Sequence, residues 1–282
     1  MRVLVTGASG FTAHYLLKLL AADCRLELHL ADCASGAPGK IMSCDLTQKG
    51  EVEELIKGIR PERIYHLAGS FTNNYDIDYP ANVLSTKNIL DSLLKLALPS
   101  RVLLIGSSAE YGLVNAGDNP VNEDQPLRPC RIHGLTKVYQ TQLMRFYCKV
   151  YGMDLVMARP FNLSGEGKRI SKLMFIGKVH EQIEKIKNGE ISKVIVGNVE
   201  SKRDYIDVKQ AVKFYQKIME HGIAGEVYNV GSGRSIRMRD LLNLLLKEAG
   251  LDMKVVEEKV LPVADQTDVS EIYADLRKIN GL

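Results

Sequence analysis

The sequence predicts an α/β protein: a doubly wound parallel sheet of the Rossmann type with a smaller carboxy-terminal substrate-binding lobe. Three observations carry this. Short β-branched runs alternate with helical stretches through the first 160 residues, the first run opens into a glycine turn, and the rhythm breaks after Arg159. Strands separated by helices at this spacing pair in parallel, because a right-handed crossover must lie between them. A chain of 282 residues, 45% hydrophobic and 25% charged, has the size and composition of one large domain with an appendix.

In order, strand-like and helix-like stretches fall at Val3–Thr6, Tyr15–Leu20, Leu26–Ala31, Val52–Ile59, Ile64–Leu67, Val83–Leu94, Val102–Ile105, Thr136–Val150 and Leu155–Ala158. Beyond Arg159 come a glycine-rich loop (Gly165, Gly167), a helix around Lys178–Lys187, a strand at Val194–Val196, and an amphipathic helix Met238–Ala249 after Gly231 and Gly233. Residues 1–160 are therefore expected to form a dinucleotide-binding domain and residues 161–282 an interleaved lobe over its crevice. In such folds the crevice opens at the carboxyl ends of the strands, so functional residues are expected just after strands.

Composition excludes several classes. No apolar run reaches the roughly 18 residues of a membrane span, and the first strand begins straight after Met1, so the chain is expected to be cytoplasmic. Five cysteines (Cys24, Cys33, Cys44, Cys130, Cys148) without a CxxC spacing read as plain buried thiols, not a disulfide framework or a metal site. A net charge of +3 is too small to argue for nucleic acid. Residues 160–217 hold twelve Lys and Arg against seven Asp and Glu, which reads either as an attraction for an anionic ligand or as a solvated lysine-rich surface.

The opening Val3-Leu-Val-Thr-Gly7-Ala-Ser-Gly10-Phe11-Thr12-Ala13 is a strand, a glycine turn and a helix start. Gly7 lets the chain turn off the strand, Gly10 leaves room for a diphosphate, and Ala13 lets the helix pack on the sheet. The first helical amides, around Phe11 and Thr12, then face the phosphates. Asp32, twenty-five residues beyond Gly7, is placed to accept from an adenosine ribose hydroxyl. Asp45 and Leu46, then Leu67, Ala68 and Gly69, add crevice-edge positions for adenine and pyrophosphate. NAD or NADP is the expected cofactor. Asp32 repels a 2′-phosphate and speaks for NAD, whereas Ser35 and Lys40 are available to an NADP phosphate.

Further on, Arg101–Ile105 runs into Gly106-Ser107-Ser108-Ala109-Glu110-Tyr111-Gly112, which sets hydroxyls at a strand end. The stretch Ile132-His133-Gly134-Leu135-Thr136-Lys137 begins a helix, and the i, i+4 spacing puts His133 and Lys137 on one face.

Together, Gly-x-x-Gly-Phe, Ser-Ser-x-x-Tyr-Gly, Gly-Leu-Thr-Lys, Arg159-Pro-Phe-Asn162 and Arg203-Asp-Tyr-Ile-Asp-Val208 resemble the extended short-chain dehydrogenase/reductases that act on nucleotide sugars. The likeness covers nearly the whole chain. The stretches Ile105–Gly112, Val196–Glu200 and Gly225–Gly233 look most like the GDP-4-keto-6-deoxy-mannose reductases. The resemblance implies a Ser/Thr–Tyr–Lys triad, with Ser107 as the hydroxyl, Lys137 as the lysine, and His133 standing where the family has tyrosine. Histidine can act as a general acid near neutrality. Three readings stay open: His133 replaces the phenol, the chain binds without turnover, or the residue at 133 departs from the natural one. Among nearby phenols, Tyr139 lies about 600° round the helix from His133 and faces away, and Tyr111 is expected beneath the substrate.

The same resemblance places Ser108, Asn162 and Arg203 on a nucleotide-diphosphate sugar, with Arg203 on phosphate or ribose. The alternatives are a loop-capping amide for Asn162 and an ion pair with Asp204 or Asp207 for Arg203. It further implies reduction of a 4-keto-6-deoxy sugar or, as the runner-up, 4-epimerisation. Dehydration is disfavoured because the acid/base positions after the hydroxyl hold Ser108 and Ala109, with Glu110 one residue late. A homodimer through the helices near Asn82–Leu96 and Gly134–Val150 is expected. In the family a second arginine comes from the segment matching Pro262–Asp268, and none is present; the family also continues beyond the equivalent of Leu282.

Overall fold

Val3, Leu4 and Val5 are all buried, as a strand covered on both faces requires, and β1 (Arg2–Thr6) lies inside a seven-stranded parallel sheet. The computed structural model describes residues 1–33, 41–165, 170–259 and 269–282. Ser35, Lys40, Gly167 and the Pro262–Asp268 segment lie outside the described residues. After β1 come α1 (Phe11–Leu20), β2 (Glu27–Asp32), β3 (Ile41–Ser43), α2 (Lys49–Ile59), β4 (Arg63–His66), α3 (Tyr75–Tyr79), α4 (Ser85–Lys95), β5 (Arg101–Ile105), α5 (Ile132–Tyr151) and β6 (Leu155–Pro160). The chain goes on through β7 (Asn162–Ser164), α6 (Phe175–Lys187), β8 (Val194–Val196), β9 (Lys202–Asp207), α7 (Val208–His221), β10 (Val227–Val230), β11 (Ser235–Arg237), α8 (Met238–Glu248), β12 (Val256–Glu258), β13 (Glu271–Ile272) and α9 (Arg277–Asn280).

The large sheet has the order β10-β6-β5-β4-β1-β2-β3. Strand order reverses between β1 and β4, which opens a crevice at their carboxyl ends. Residues 161–282 do not all stay in the lobe. Strand β10 pairs with β6 at the sheet edge, and Val208, Val212, Tyr215 and Met219 of α7 join the core that holds Leu16 and Leu20 of α1. In the lobe, β9 is shared by three strands: β11 antiparallel to it, and β13 and β7 parallel to it along residues 202–203 and 205–207.

Two expectations change. The helix expected at Val83–Leu94 is α4, entered through a π-helical turn Pro80–Leu84 that follows α3 directly; Pro80 has no N–H to donate, so the regular ladder cannot run through it. Of the five thiols only Cys44 is buried, while Cys24 and Cys33 are exposed.

Beyond β5 the chain makes a 3₁₀ turn, Ser108–Glu110. The turn folds the Glu110 carboxylate into the core behind the cleft, where it is fully buried and does not line the wall. Glu110 accepts from Ser107 N (2.8 Å), Thr141 Oγ1 of α5 (2.6 Å) and Arg159 Nη2 of β6 (2.9 Å). Both side chains of the Glu110–Arg159 pair are fully buried, and the guanidinium carbon lies 4.7 Å from the centre of the Tyr111 ring. Removing one partner strands the other charge. Arg159→Met is therefore expected to lower unfolding free energy by about 3–5 kcal/mol, and adding Glu110→Gln should recover part of the loss; urea unfolding of the three proteins measures both effects.

Candidate functional site

A cleft of about 740 Å³ opens where strand order reverses, and it gathers most of the residues singled out from sequence. Gly7, Gly10, Phe11, Thr12, Leu67, Gly69, Ser107, Ser108, His133, Lys137, Asn162 and Arg203 all line it. The turn from β1 into α1 needs Gly7: its φ is +66°, and a Cβ there would meet Ala68 N at 2.6 Å. Ala68 thus packs its backbone against the turn. Helix α5 reaches the Ser108–Glu110 turn because residue 134 is glycine; a Cβ there would sit 2.4 Å from Ala109 O. That close approach brings His133 and Lys137 to the same cleft as Ser107.

Four expected positions lie off the cleft wall, Ala68 and three others. Asp32 ends β2 and accepts from Ser9 N and Ser9 Oγ at 2.9 and 2.7 Å. Asp45 accepts from Thr47 N and Oγ1 at 2.9 and 2.7 Å. Leu46 is buried, and its carbonyl accepts from Asn88.

Lys137 is buried, and its ammonium donates to Ile105 O (2.8 Å) and Gln140 Oε1 (3.0 Å). Gln140 continues a chain of hydrogen bonds through Thr86 to His66 and Thr6, so Lys137 is tied to α4, β4 and β1. Burial lowers the Lys137 pKa to about 8, against the pull of Glu110 and Asp78. His133 Nδ1 lies 3.1 Å from Ser70 O. Burial, joined by the Lys137 cation, lowers its pKa to about 4, so the ring is neutral near pH 7. Ser107 accepts from Ala109 N through its hydroxyl oxygen (3.2 Å).

Tyr111 is no substitute acid: it is fully buried, its hydroxyl donates to Asn229 Oδ1 (2.6 Å), and burial pushes its pKa up to about 12. Tyr139 is exposed and faces the Tyr79 ring, 6.4 Å between centres. Arg203 lines the cleft and donates to Lys202 O. The carboxylates suggested as its partners are engaged elsewhere, Asp204 with Ser232, Gly233 and Ala274, and Asp207 capping α7 at Lys209 N. Asn162 donates from Nδ2 to Asp204 O (3.0 Å) and so ties β7 to β9. Sequence reasoning missed Ser70, Phe71 and Tyr205 on the cleft wall, and Asp78 and Asn82 behind it. The only local signal was a polar stretch, Ser70–Asp78, following a strand.

The profile of the NAD dependent epimerase/dehydratase family matches residues 3–231. The chain belongs to this family. It is 29% identical over 287 residues to the GDP-6-deoxy-D-mannose reductase of Pseudomonas aeruginosa, covering 99% of this chain and 91% of that protein. It is 25% identical over 291 residues to a putative UDP-glucose 4-epimerase of Methanocaldococcus jannaschii, covering 99% and 92%. Among solved structures, RMD from Pseudomonas aeruginosa complexed with NADPH matches with a TM-score of 0.84 at 25% identity, over 99% of this chain and 91% of that one.

A dinucleotide of the family's kind fits this cleft. Gly10 puts no side chain over the first amides of α1, and the cleft runs from there to the Lys137 ammonium. A Cβ at Gly10 would meet only Gly7 O, at 3.1 Å, so a larger residue intrudes on the cleft more than on the fold. Gly10→Val is expected to weaken NAD(P) binding at least about tenfold, roughly 1.4 kcal/mol, with little change in the melting temperature of the ligand-free protein. Calorimetric titration checks this, and unchanged affinity would show that the dinucleotide lies elsewhere.

Proposed function

We propose that this chain is an NAD(P)-dependent reductase of the 4-keto group of a nucleotide-linked 6-deoxyhexose, with a GDP sugar as substrate. The observation that carries the reading is one cleft lined at once by the glycine turn, Ser107, the His133–Lys137 pair and Arg203. The full-length likeness to a GDP-6-deoxy-D-mannose reductase supports the substrate class. When bound, NADH or NADPH would supply the hydride and leave as the oxidised form. Asp32 favours NAD by repelling a 2′-phosphate, and the NADPH-bound neighbour supports NADP.

The other tasks fall to the chain. Arg203 offers a planar fork to the diphosphate or ribose, with Ser108 and Asn162 beside it. Lys137 holds the nicotinamide ribose, Ser107 orients the ketone, and His133 protonates its oxygen as hydride arrives at carbon. Glu110 is spent on Arg159 and Thr141, and Ser108 and Ala109 offer no acid, which argues against dehydration. A homodimer through α5 is also proposed, because Tyr139, Phe146, Val150 and Tyr151 are exposed on that helix, with Tyr75 and Ile77 on α3. Sedimentation at micromolar concentration should then give twice 31.4 kDa; a species of single mass removes the dimer.

The low His133 pKa has a kinetic consequence. Only the protonated ring donates, and with a pKa of about 4 roughly one ring in a thousand is protonated at pH 7. Reductive kcat/KM is expected to fall about tenfold per pH unit between pH 5 and 7. A phenol at this position stays protonated over that range. His133→Tyr is therefore expected to raise turnover on a GDP-4-keto-6-deoxy sugar at least about tenfold at pH 7, roughly 1.4 kcal/mol of barrier. Cofactor oxidation followed at several pH values tests both statements. Equal rates place the proton source elsewhere, and inactivity of both proteins favours a binding role without turnover.

A further inference from the structure

The loop that meets His133 is organised from behind by a carboxylate outside every motif. Asp78, on α3, is fully buried. Its Oδ1 accepts from Ser70 Oγ (2.7 Å), Thr72 N (2.9 Å) and Thr72 Oγ1 (2.8 Å), and its Oδ2 accepts from Asn73 N (2.9 Å). Four donors converge on one side chain, and together they outweigh burial to hold its pKa below the ordinary range.

The loop so held reaches His133 at two points. Asn73, itself at φ +61°, accepts from His133 N through Oδ1 (3.2 Å). Ser70 O lies 3.1 Å from His133 Nδ1 and also accepts from Asn82 Nδ2 (2.9 Å). A carbonyl oxygen can only accept, so the bond to Nδ1 requires a hydrogen on that nitrogen. The neutral ring then carries its lone pair on Nε2, on a residue that lines the cleft. The charged groups acting on the ring are Lys137 of its own helix and Asp78 of α3; its aromatic neighbour is Phe71, 6.1 Å between ring centres.

We propose that Asp78 is a positioning residue for proton transfer: by holding the 70–73 loop it keeps Ser70 O on His133 Nδ1 and makes Nε2 the atom that exchanges a proton with the substrate. The inference rests on the reading of His133 as the proton donor. In the reductive step, hydride from the reduced nicotinamide bonds to the carbonyl carbon and the C=O π pair moves onto oxygen. The Nε2 proton passes to that oxygen, the N–H pair stays on Nε2, and the ring is left neutral with its hydrogen on Nδ1. No other co-reactant is needed.

The test is the tautomer of His133. Protein labelled with ¹⁵N in its six histidines is examined at pH 7 by long-range ¹H–¹⁵N correlation, with His133 assigned by loss of its signals in His133→Gln. The wild-type ring should show a protonated Nδ1 and a bare Nε2. Asp78→Asn replaces an acceptor oxygen with a donor and should give mixed tautomers, with reductive kcat falling about tenfold or more and the cofactor KM within about twofold. If that variant does not fold, Ser70→Ala/Thr72→Val strips both hydroxyl donors from Asp78 and should change tautomer and kcat in the same direction. A protonated Nε2 in the wild type overturns the inference, as does a wild-type tautomer and kcat in either folded variant. The spectrum needs no substrate, so a tautomer that depends on Asp78 in a protein without reductase activity supports the inference and counts against the reductase reading.

Discussion

The buried Glu110 carboxylate joins the parts that make the site. It takes a backbone amide from Ser107 at the end of β5, a hydroxyl from Thr141 on α5, and a guanidinium from Arg159 on β6. Thr141 lies one turn beyond Lys137 and two beyond His133, so the bond to Glu110 sets that face of α5 against the strand end carrying Ser107. A carboxylate and a guanidinium at zero exposure are stable only while both are present and hydrogen-bonded. The site therefore depends on an ion pair that never touches the cleft.

The same dry surroundings set the chemistry on the cleft wall. Lys137 and His133 sit in a poorly solvated place and both lose basicity through burial, His133 further through the Lys137 cation: Lys137 stays mostly charged near neutrality, and His133 does not. A phenol beside the same lysine would gain from it, since the cation stabilises phenolate. The environment around residue 133 thus suits the family's tyrosine in its charge and accommodates histidine through a different device, the Ser70 carbonyl on Nδ1. On the proposed reductase reading, the rate at neutral pH is set by how seldom the ring is charged.

Local signals carried much of this into the sequence. The strand, Gly7 turn and helix of the cofactor edge were legible because each depends on neighbours within a few residues, and so was the i, i+4 pairing of His133 with Lys137. What could not be read depends on partners far along the chain. Glu110 turns inward because of Arg159 and Thr141, 49 and 31 residues away, and no local pattern announces that. Nothing local in Val227–Val230 shows that its partner is β6, so the return of β10 to the large sheet, with α7 packed against α1, could not be read in advance. Asp78 stood in a polar stretch after β4 that did not single it out, because its four donors lie in a loop whose path only the fold determines. The π-helical turn at Pro80–Leu84 was disguised by apolar residues at helical spacing on either side.

The whole reading comes down to a hydride delivered to a sugar carbon in this cleft. Incubation with NADH and NADPH deuterated at the transferring position, together with a GDP-4-keto-6-deoxyhexose, tests it directly by NMR of the sugar. One deuteron at C4, matched by one equivalent of oxidised cofactor, is the expected result. Cofactor and sugar that both bind while neither deuterated cofactor labels C4 would contradict it.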